Sequence, residues 1–130
     1  HQGLLPMNTT TKFSIALLLP ALQLHAQTLD CDNAMTQMEM NQCAAQAFER
    51  QDQQLNRVYN QYRAGLQPKD RQALKQVQLA WIKFRDLDCR QVASIYKGGS
   101  MQPMVHAHCL AERTRERITH LEQMADGVEG

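Results

Sequence analysis

The residues of this chain that could take part in binding or catalysis are acids, amides and guanidinium groups. They lie at or beside helical positions that the apolar pattern marks as inward. Two interpretations are open: a binding or catalytic cluster, or an internal network of ion pairs and amide contacts that fixes the register of the helices. We favour the network, because buried charges need partners. With the single tryptophan, these residues form the predicted structural polar core: Asp52, Gln78, Trp81, Arg85, Asp88 and Arg117.

Catalysis and metal binding find little support in the spacing of the reactive residues. Asp86 and Asp88 lie two apart on a helix and point to different sides, so they are not a paired acid and base. His106 and His108 diverge for the same reason and are interpreted as surface residues near a helix start. Three methionines suggest a soft copper site but are better explained as core filler or exposed residues: Met35, Met38 and Met40. We expect no enzymatic activity, no cofactor and no metal.

The N-terminal residues have the pattern of an export signal. Met7 is the natural start, Lys12 supplies positive charge, and the apolar run 13–24 precedes a plausible cleavage site after Ala26. The run is shorter than the roughly 20 apolar residues that span a bilayer, so we favour a cleaved signal over a permanent membrane anchor. We expect residues 1–26 to be upstream sequence plus signal, and the product to be periplasmic or secreted without stable membrane insertion.

The remaining residues, 27–130, are predicted to form a single all-α domain. The chain has only 5% aromatic residues, and alanine, methionine and glutamine are abundant. Small and unbranched apolar side chains favour helix and close helix packing. Prolines and glycines fall almost wholly outside the periodic segments. The fold class is therefore a disulfide-braced, antiparallel three-helix bundle.

The three helices are predicted from caps and periodicity. The first runs from about Thr36 to Ala64, with a capping box at its start and Gly65 after its last turn. The second opens at Gln67-Pro68, and the third follows Pro103 and runs to about Met124. The predicted inward residues are Ala44, Phe48, Leu55, Tyr59 and Tyr62 in helix one; Leu74, Val77, Trp81, Phe84, Asp88, Val92 and Ile95 in helix two; and Leu110, Thr114, Ile118 and Leu121 in helix three.

Four cysteines in an exported small domain indicate two disulfides, and no C-x-x-C spacing suggests zinc. The heights of the residues in the bundle allow Cys89 to pair with either Cys43 or Cys109. Cys31 precedes the first helix and can fold back to reach Cys43, which would leave Cys89 to join Cys109. We prefer this pairing, although the residues alone leave the others open.

The chain resembles the LprI-type lysozyme-inhibitor family over essentially its whole mature length. The residues that carry the resemblance are Cys31, Thr36-Gln37-x-Glu39-Met40-Asn41-x-Cys43, Asp52-x-x-Leu55-Asn56-x-x-Tyr59, Gln78-x-x-Trp81-x-x-x-Arg85-Asp86-x-x-Cys89, Gly98-Gly99-Ser100 and Cys109-x-x-x-x-Thr114-x-x-Arg117-x-x-x-Leu121. The resemblance implies an exported, disulfide-bonded helical domain of bacterial envelopes, with sequential cysteine pairing. Lysozyme inhibition was assigned to the founding type of this family.

The glycine-rich connection between helices two and three is the predicted binding site: Lys97, Gly98, Gly99 and Ser100. Loops braced on rigid scaffolds commonly carry binding. A glycosidase inhibitor must obstruct a cleft that contains two carboxylates. The Lys97 ammonium, the Ser100 hydroxyl and exposed amides at Gly98 and Gly99 would offer charge and donors there. The alternative is an ordinary turn with glycines for backbone freedom.

The charge distribution limits the choice of partner. After removal of Lys12 the chain has 13 basic and 13 acidic residues, whereas residues 50–97 hold ten basic and four acidic ones. A basic lysozyme would be attracted to an acidic surface. The basic segment 50–97 suits anionic envelope polymers instead. Nucleic acid is excluded as a partner for a neutral, exported domain without aromatic stacking residues. We expect a lysozyme or another envelope protein as the partner, with a non-inhibitory structural or adaptor module of the envelope as the alternative.

Overall fold

The computed structural model describes residue 3, residues 14–18 and residues 29–127. Within these ranges the chain forms three α-helices and no strand: α1 (Gln37–Ala64), α2 (Pro68–Ala93) and α3 (Gln102–Ala125). Short 3-10 turns at Cys31–Asn33 and Ser94–Tyr96 precede α1 and follow α2. The predicted all-α, disulfide-bonded three-helix bundle is confirmed.

Most of the predicted export signal lies outside the described residues. The short described piece, residues 14–18, has no regular secondary structure and is exposed. None of the described helices has the length and apolar character needed to cross a membrane.

The start of α1 follows the predicted capping chemistry with one difference. The Thr36 hydroxyl oxygen accepts a hydrogen bond from the Glu39 amide at 3.1 Å. The same hydroxyl donates to the Glu39 carboxylate at 2.8 Å. In the predicted capping box, this carboxylate would instead accept a hydrogen bond from the Thr36 amide. The first turn therefore gains a satisfied donor and a fixed acid near the positive end of the helix.

The helix connections confirm one expectation about glycine and correct another about proline. Gly65 caps α1 as predicted, but its backbone is right-handed, φ −84°, so no left-handed turn requires glycine there. Pro103 does not delay α3, because the helix already begins at Gln102 and the proline sits in its first turn. That position tolerates proline because its missing amide hydrogen has no helical partner.

The close packing of α1 against α3 organises the bundle. The two backbones approach each other extensively, whereas α2 contacts α3 less and α1 very little. Ala44 on α1 and Ala107 and Ala111 on α3 are buried, and such short side chains permit a small interaxial distance. The larger apolar core lies further along the bundle and draws on all three helices: Leu55, Val58, Leu74, Ile118 and Leu121.

The predicted inward stripe of α3 is correct throughout, and that of α2 is only partly correct. Leu74 is buried and Trp81 packs against the core, but Val77 and Phe84, and Ile95 in the turn after α2, are 54%, 60% and 82% exposed. The other buried residues of α2 lie outside the predicted stripe: Gln78, Arg85, Cys89 and Ala93. Cys89 is bonded to α3 and fully buried. Five residues at 100° each separate its direction from that of Phe84 by about 140°, so both cannot face inward.

Candidate functional site

The backbone of the loop between α2 and α3 disfavours a side chain at both of its glycines. Gly98 has φ +78°, a left-handed conformation that costs other residues free energy. At Gly99 an added Cβ would lie 3.1 Å from the Tyr96 carbonyl oxygen. The loop is therefore a specific tight turn, and its shape depends on these two positions.

The expectation that Gly98 and Gly99 offer free amides to a ligand is wrong. The Gly98 amide donates to Gln102 Oε1 at 3.3 Å, and the Gly99 amide donates to the Tyr96 carbonyl at 2.8 Å. Both donors are used within the turn, so the glycines shape the loop but do not present donors. Gln102 was missed by sequence reasoning, which placed the start of α3 two residues later.

The loop is joined to α1 as well as to the helices that it connects. Asn41 Nδ2 on α1 donates to the Ser100 carbonyl oxygen at 2.9 Å, and Gln37 Nε2 approaches Met104 Sδ on α3 at 3.6 Å. Asn41 was part of the motif that carries the family resemblance, but its contact depends on the height of α1 beside the loop. The three chain segments at this end of the bundle therefore hold one another in place.

Two disulfides stabilise the half of the bundle that carries the loop. Cys89 on α2 is bonded to Cys109 on α3, with Cα atoms 5.4 Å apart. Cys31 in the lead-in is bonded to Cys43 on α1, with Cα atoms 5.6 Å apart. The preferred pairing is confirmed, and the four cysteines are all oxidised.

Two groups of the predicted binding loop remain available to a partner. Lys97 and Ser100 are exposed, and among the described residues neither the Lys97 ammonium nor the Ser100 hydroxyl has a protein partner within bonding distance. A cation and a hydroxyl therefore project from a turn whose glycine amides already form hydrogen bonds within the protein.

The predicted polar core is centred on two arginines. Arg85 is buried, and its guanidinium donates to Asp52 Oδ1 at 3.4 Å, to Thr114 Oγ1 at 3.3 Å and to Asp86 Oδ1 at 3.0 Å. The same group lies 5.2 Å from the centre of the Phe48 ring and 5.2 Å from that of Trp81. These contacts join α2 to α1, whose backbone stays apart from it, and also to α3.

The second arginine, Arg117 on α3, is buried without an acidic partner among the described residues. Its Nε donates to Gln78 Oε1 at 2.9 Å, one terminal nitrogen contacts His120 Nδ1 at 3.0 Å, and the other has no partner. Its guanidinium lies 5.9 Å from the Trp81 ring centre. Burial lowers the pKa of Arg117 from its ordinary value, because a low-dielectric site disfavours the charged form. Trp81 thus lies beside both guanidinium groups.

Asp88, placed in the same core by sequence reasoning, belongs to a separate and more exposed pair. It accepts a hydrogen bond from Arg113 Nε at 3.1 Å, and Arg113 also contacts Glu116 at 3.2 Å. The hydrogen bond to Asp88, followed by the charge of Glu116, raises the pKa of Arg113. The Asp88 carboxylate also lies near Cys89 and Cys109, but sulfurs bonded to each other provide no thiolate ligand for a metal.

The fold and this end of the bundle define a small helical protein with two disulfides, an interior network around paired arginines and a fixed, exposed loop. The chain belongs to the lysozyme inhibitor LprI family, whose model matches residues 30–121. It is 36% identical over 113 residues to the uncharacterized protein R02472 of Rhizobium meliloti (strain 1021), a match that covers 77% of this chain and 81% of the relative. No solved structure gives a significant match. Disulfides fit an extracytoplasmic location.

Proposed function

We propose that this protein binds a lysozyme-type glycosidase and blocks its cleft with the loop Lys97–Ser100. Membership of the lysozyme inhibitor LprI family supports the target class. The observation that carries the choice of loop is the Asn41 contact to the Ser100 carbonyl, because it fixes the turn against α1 as well as against α2 and α3. A loop that is rigid before binding loses little conformational entropy on binding.

The chemistry of the loop tip suits a cleft with two carboxylates. The exposed Lys97 ammonium would approach the carboxylates of the cleft, and the Ser100 hydroxyl would donate to or accept from polar groups at its rim. The two glycine amides take no part, since their hydrogen bonds are made within the turn. Binding is therefore expected to depend on two side chains and on the shape of the turn.

The test is an inhibition assay of the purified, oxidised protein against lysozymes of several structural types. Lys97→Ala and Ser100→Ala should each raise the inhibition constant, by about tenfold for the lysine, without lowering the melting temperature. Lys69→Ala is the matched control, because Lys69 is also an exposed lysine, at the start of α2 and the far end of the bundle.

Two results would count against this function. No inhibition of any lysozyme at high excess would favour a structural or adaptor role in the envelope. Inhibition that Lys97→Ala and Ser100→Ala leave unchanged would keep the target class and reject the loop.

A further inference from the structure

A groove between α1 and α2 lies away from the loop and takes no part in the proposed inhibition. Its volume is about 370 Å³, and the lining residues come from the second half of α1 and the middle of α2. The groove exists because the backbones of these helices stay apart, each packing on α3. Its polar lining residues are Asn56, Tyr59, Asn60, Arg63, Lys75 and Gln78.

The hydrogen bond to Arg117 fixes the orientation of the Gln78 side-chain amide. The residue is only 7% exposed, and its oxygen accepts the Arg117 Nε hydrogen bond at 2.9 Å. A guanidinium only donates, so the oxygen must face Arg117 and the amide nitrogen must take the other side. Among the described residues that nitrogen has no hydrogen-bond partner, and Gln78 lines the groove. The largely buried Gln78 side chain therefore turns its donor toward the groove, where no described residue accepts it.

The walls of the groove combine free cations with amides and apolar surface. Arg63 and Lys75 line it from opposite helices, no carboxylate lines it, and neither cation forms an ion pair within the described part of the chain. Asn56 and Asn60 lie one turn apart on α1, so their amides neighbour each other. Tyr59 is half-buried, and Leu79 and Ile82 add apolar area.

We propose that this α1–α2 groove binds an anionic saccharide. A sugar offers adjacent hydroxyls, which match side-chain amides that both donate and accept. Its apolar ring face suits the Tyr59 ring and the neighbouring aliphatic side chains. A carboxylate or phosphate on the sugar would meet Arg63 and Lys75. The local excess of basic residues in 50–97 attracts such a ligand over longer range.

The proposal is independent of lysozyme inhibition, because the groove uses residues of α1 and the middle of α2, whereas the loop follows the C-terminal end of α2. The test is an NMR titration of the oxidised, isotope-labelled protein, with calorimetry for affinity. The probes are the N-acetylglucosaminyl–N-acetylmuramic acid disaccharide, which carries a carboxylate, N-acetylglucosamine 6-phosphate, and neutral chitotetraose. We expect one or both anionic probes to shift the side-chain amide signals of Asn56, Asn60 and Gln78, with chitotetraose at least tenfold weaker.

Variants separate a built site from general attraction between charges. The double variant Arg63→Gln with Lys75→Gln should weaken binding of the anionic probe at least tenfold. Lys69→Gln, an exposed lysine on the same helix outside the groove lining, should change it less than twofold.

Three outcomes would overturn the proposal. The first is that no probe shifts the three amides. The second is that neutral and anionic sugars bind equally well. The third is that Lys69→Gln weakens binding as much as the double variant, which would show non-specific attraction to a basic surface. Binding by the carboxylate probe or the phosphate probe alone would support the site and identify its anion.

Discussion

The buried contact between Arg117 and Gln78 offers a quantitative test of how the interior of the bundle is held together. The two residues are 4% and 7% exposed, and a 2.9 Å hydrogen bond joins them. Gln78→Leu would leave two guanidinium nitrogens without partners, because one has none already. Arg117→Met would keep apolar contact with Trp81 but leave the Gln78 oxygen without its donor. Each change should reduce the free energy of unfolding by about 2 kcal/mol, the cost of an unsatisfied buried polar group.

The double variant should be much less destabilised than the sum of the two single variants. With both polar groups gone, neither is left buried without a partner, and apolar side chains of similar volume often replace such pairs at little cost. We expect a loss of about 1 kcal/mol for Gln78→Leu with Arg117→Met, and hence a coupling energy of about 3 kcal/mol, at the upper end for residues in contact.

Urea unfolding followed by circular dichroism, with the disulfides oxidised, would measure these free energies. The chain provides a matched control on its surface, where Arg57 donates to Gln54 at 3.0 Å and 2.7 Å in an exposed pair. Gln54→Leu and Arg57→Met should each cost less than about 0.5 kcal/mol. The reasoning would be refuted if the buried changes were additive, or if the surface pair cost as much as the buried one.

Three further predictions concern the disulfide, the close helix pair and the loop. Replacing Cys89 and Cys109 together with alanine should cost about 3 kcal/mol in urea unfolding, because the bond closes a 20-residue separation; a loss below 1 kcal/mol would contradict this. Ala44→Leu should cost about 1–3 kcal/mol by forcing α1 from α3, and unchanged stability would show that the interface has room. Gly98→Ala should lower stability by about 1 kcal/mol, because Gly98 has a positive φ. Gly65→Ala, at φ −84°, should be neutral or stabilising. Equal effects of the two changes in melting experiments would reject the conformational argument.

The sequence predicted the inward face of α3 correctly and that of α2 only in part, and the difference has a physical cause. Leu110, Thr114, Ile118 and Leu121 form the main inward stripe of α3, so its periodicity has one clear solution. In α2 the apolar residues occupy two stripes, and the one that contains Phe84 remains exposed. Hydrophobic spacing alone cannot choose between two such faces.

The candidate loop was placed correctly as a turn, but its hydrogen bonds were not. The glycines indicated backbone freedom, and the positive φ of Gly98 agrees with it. That Gln102 and Tyr96 already accept the glycine amides depends on where α3 begins. The Asn41 contact depends on the height of α1 beside the loop. Neither follows from the composition of the loop.

The three helices, the Thr36 cap of α1 and the number of disulfides were predictable from local backbone preferences, short spacings and the cysteine count. The pattern also placed arginines, amides and one tryptophan near the interior. Packing between the helices sets which face of α2 turns inward, how Trp81 comes to lie beside both Arg85 and Arg117, and the groove that remains between α1 and α2. These features depend on contacts between residues far apart in the chain, where the packing of α1 on α3 and the bond between Cys89 and Cys109 override the local hydrophobic pattern.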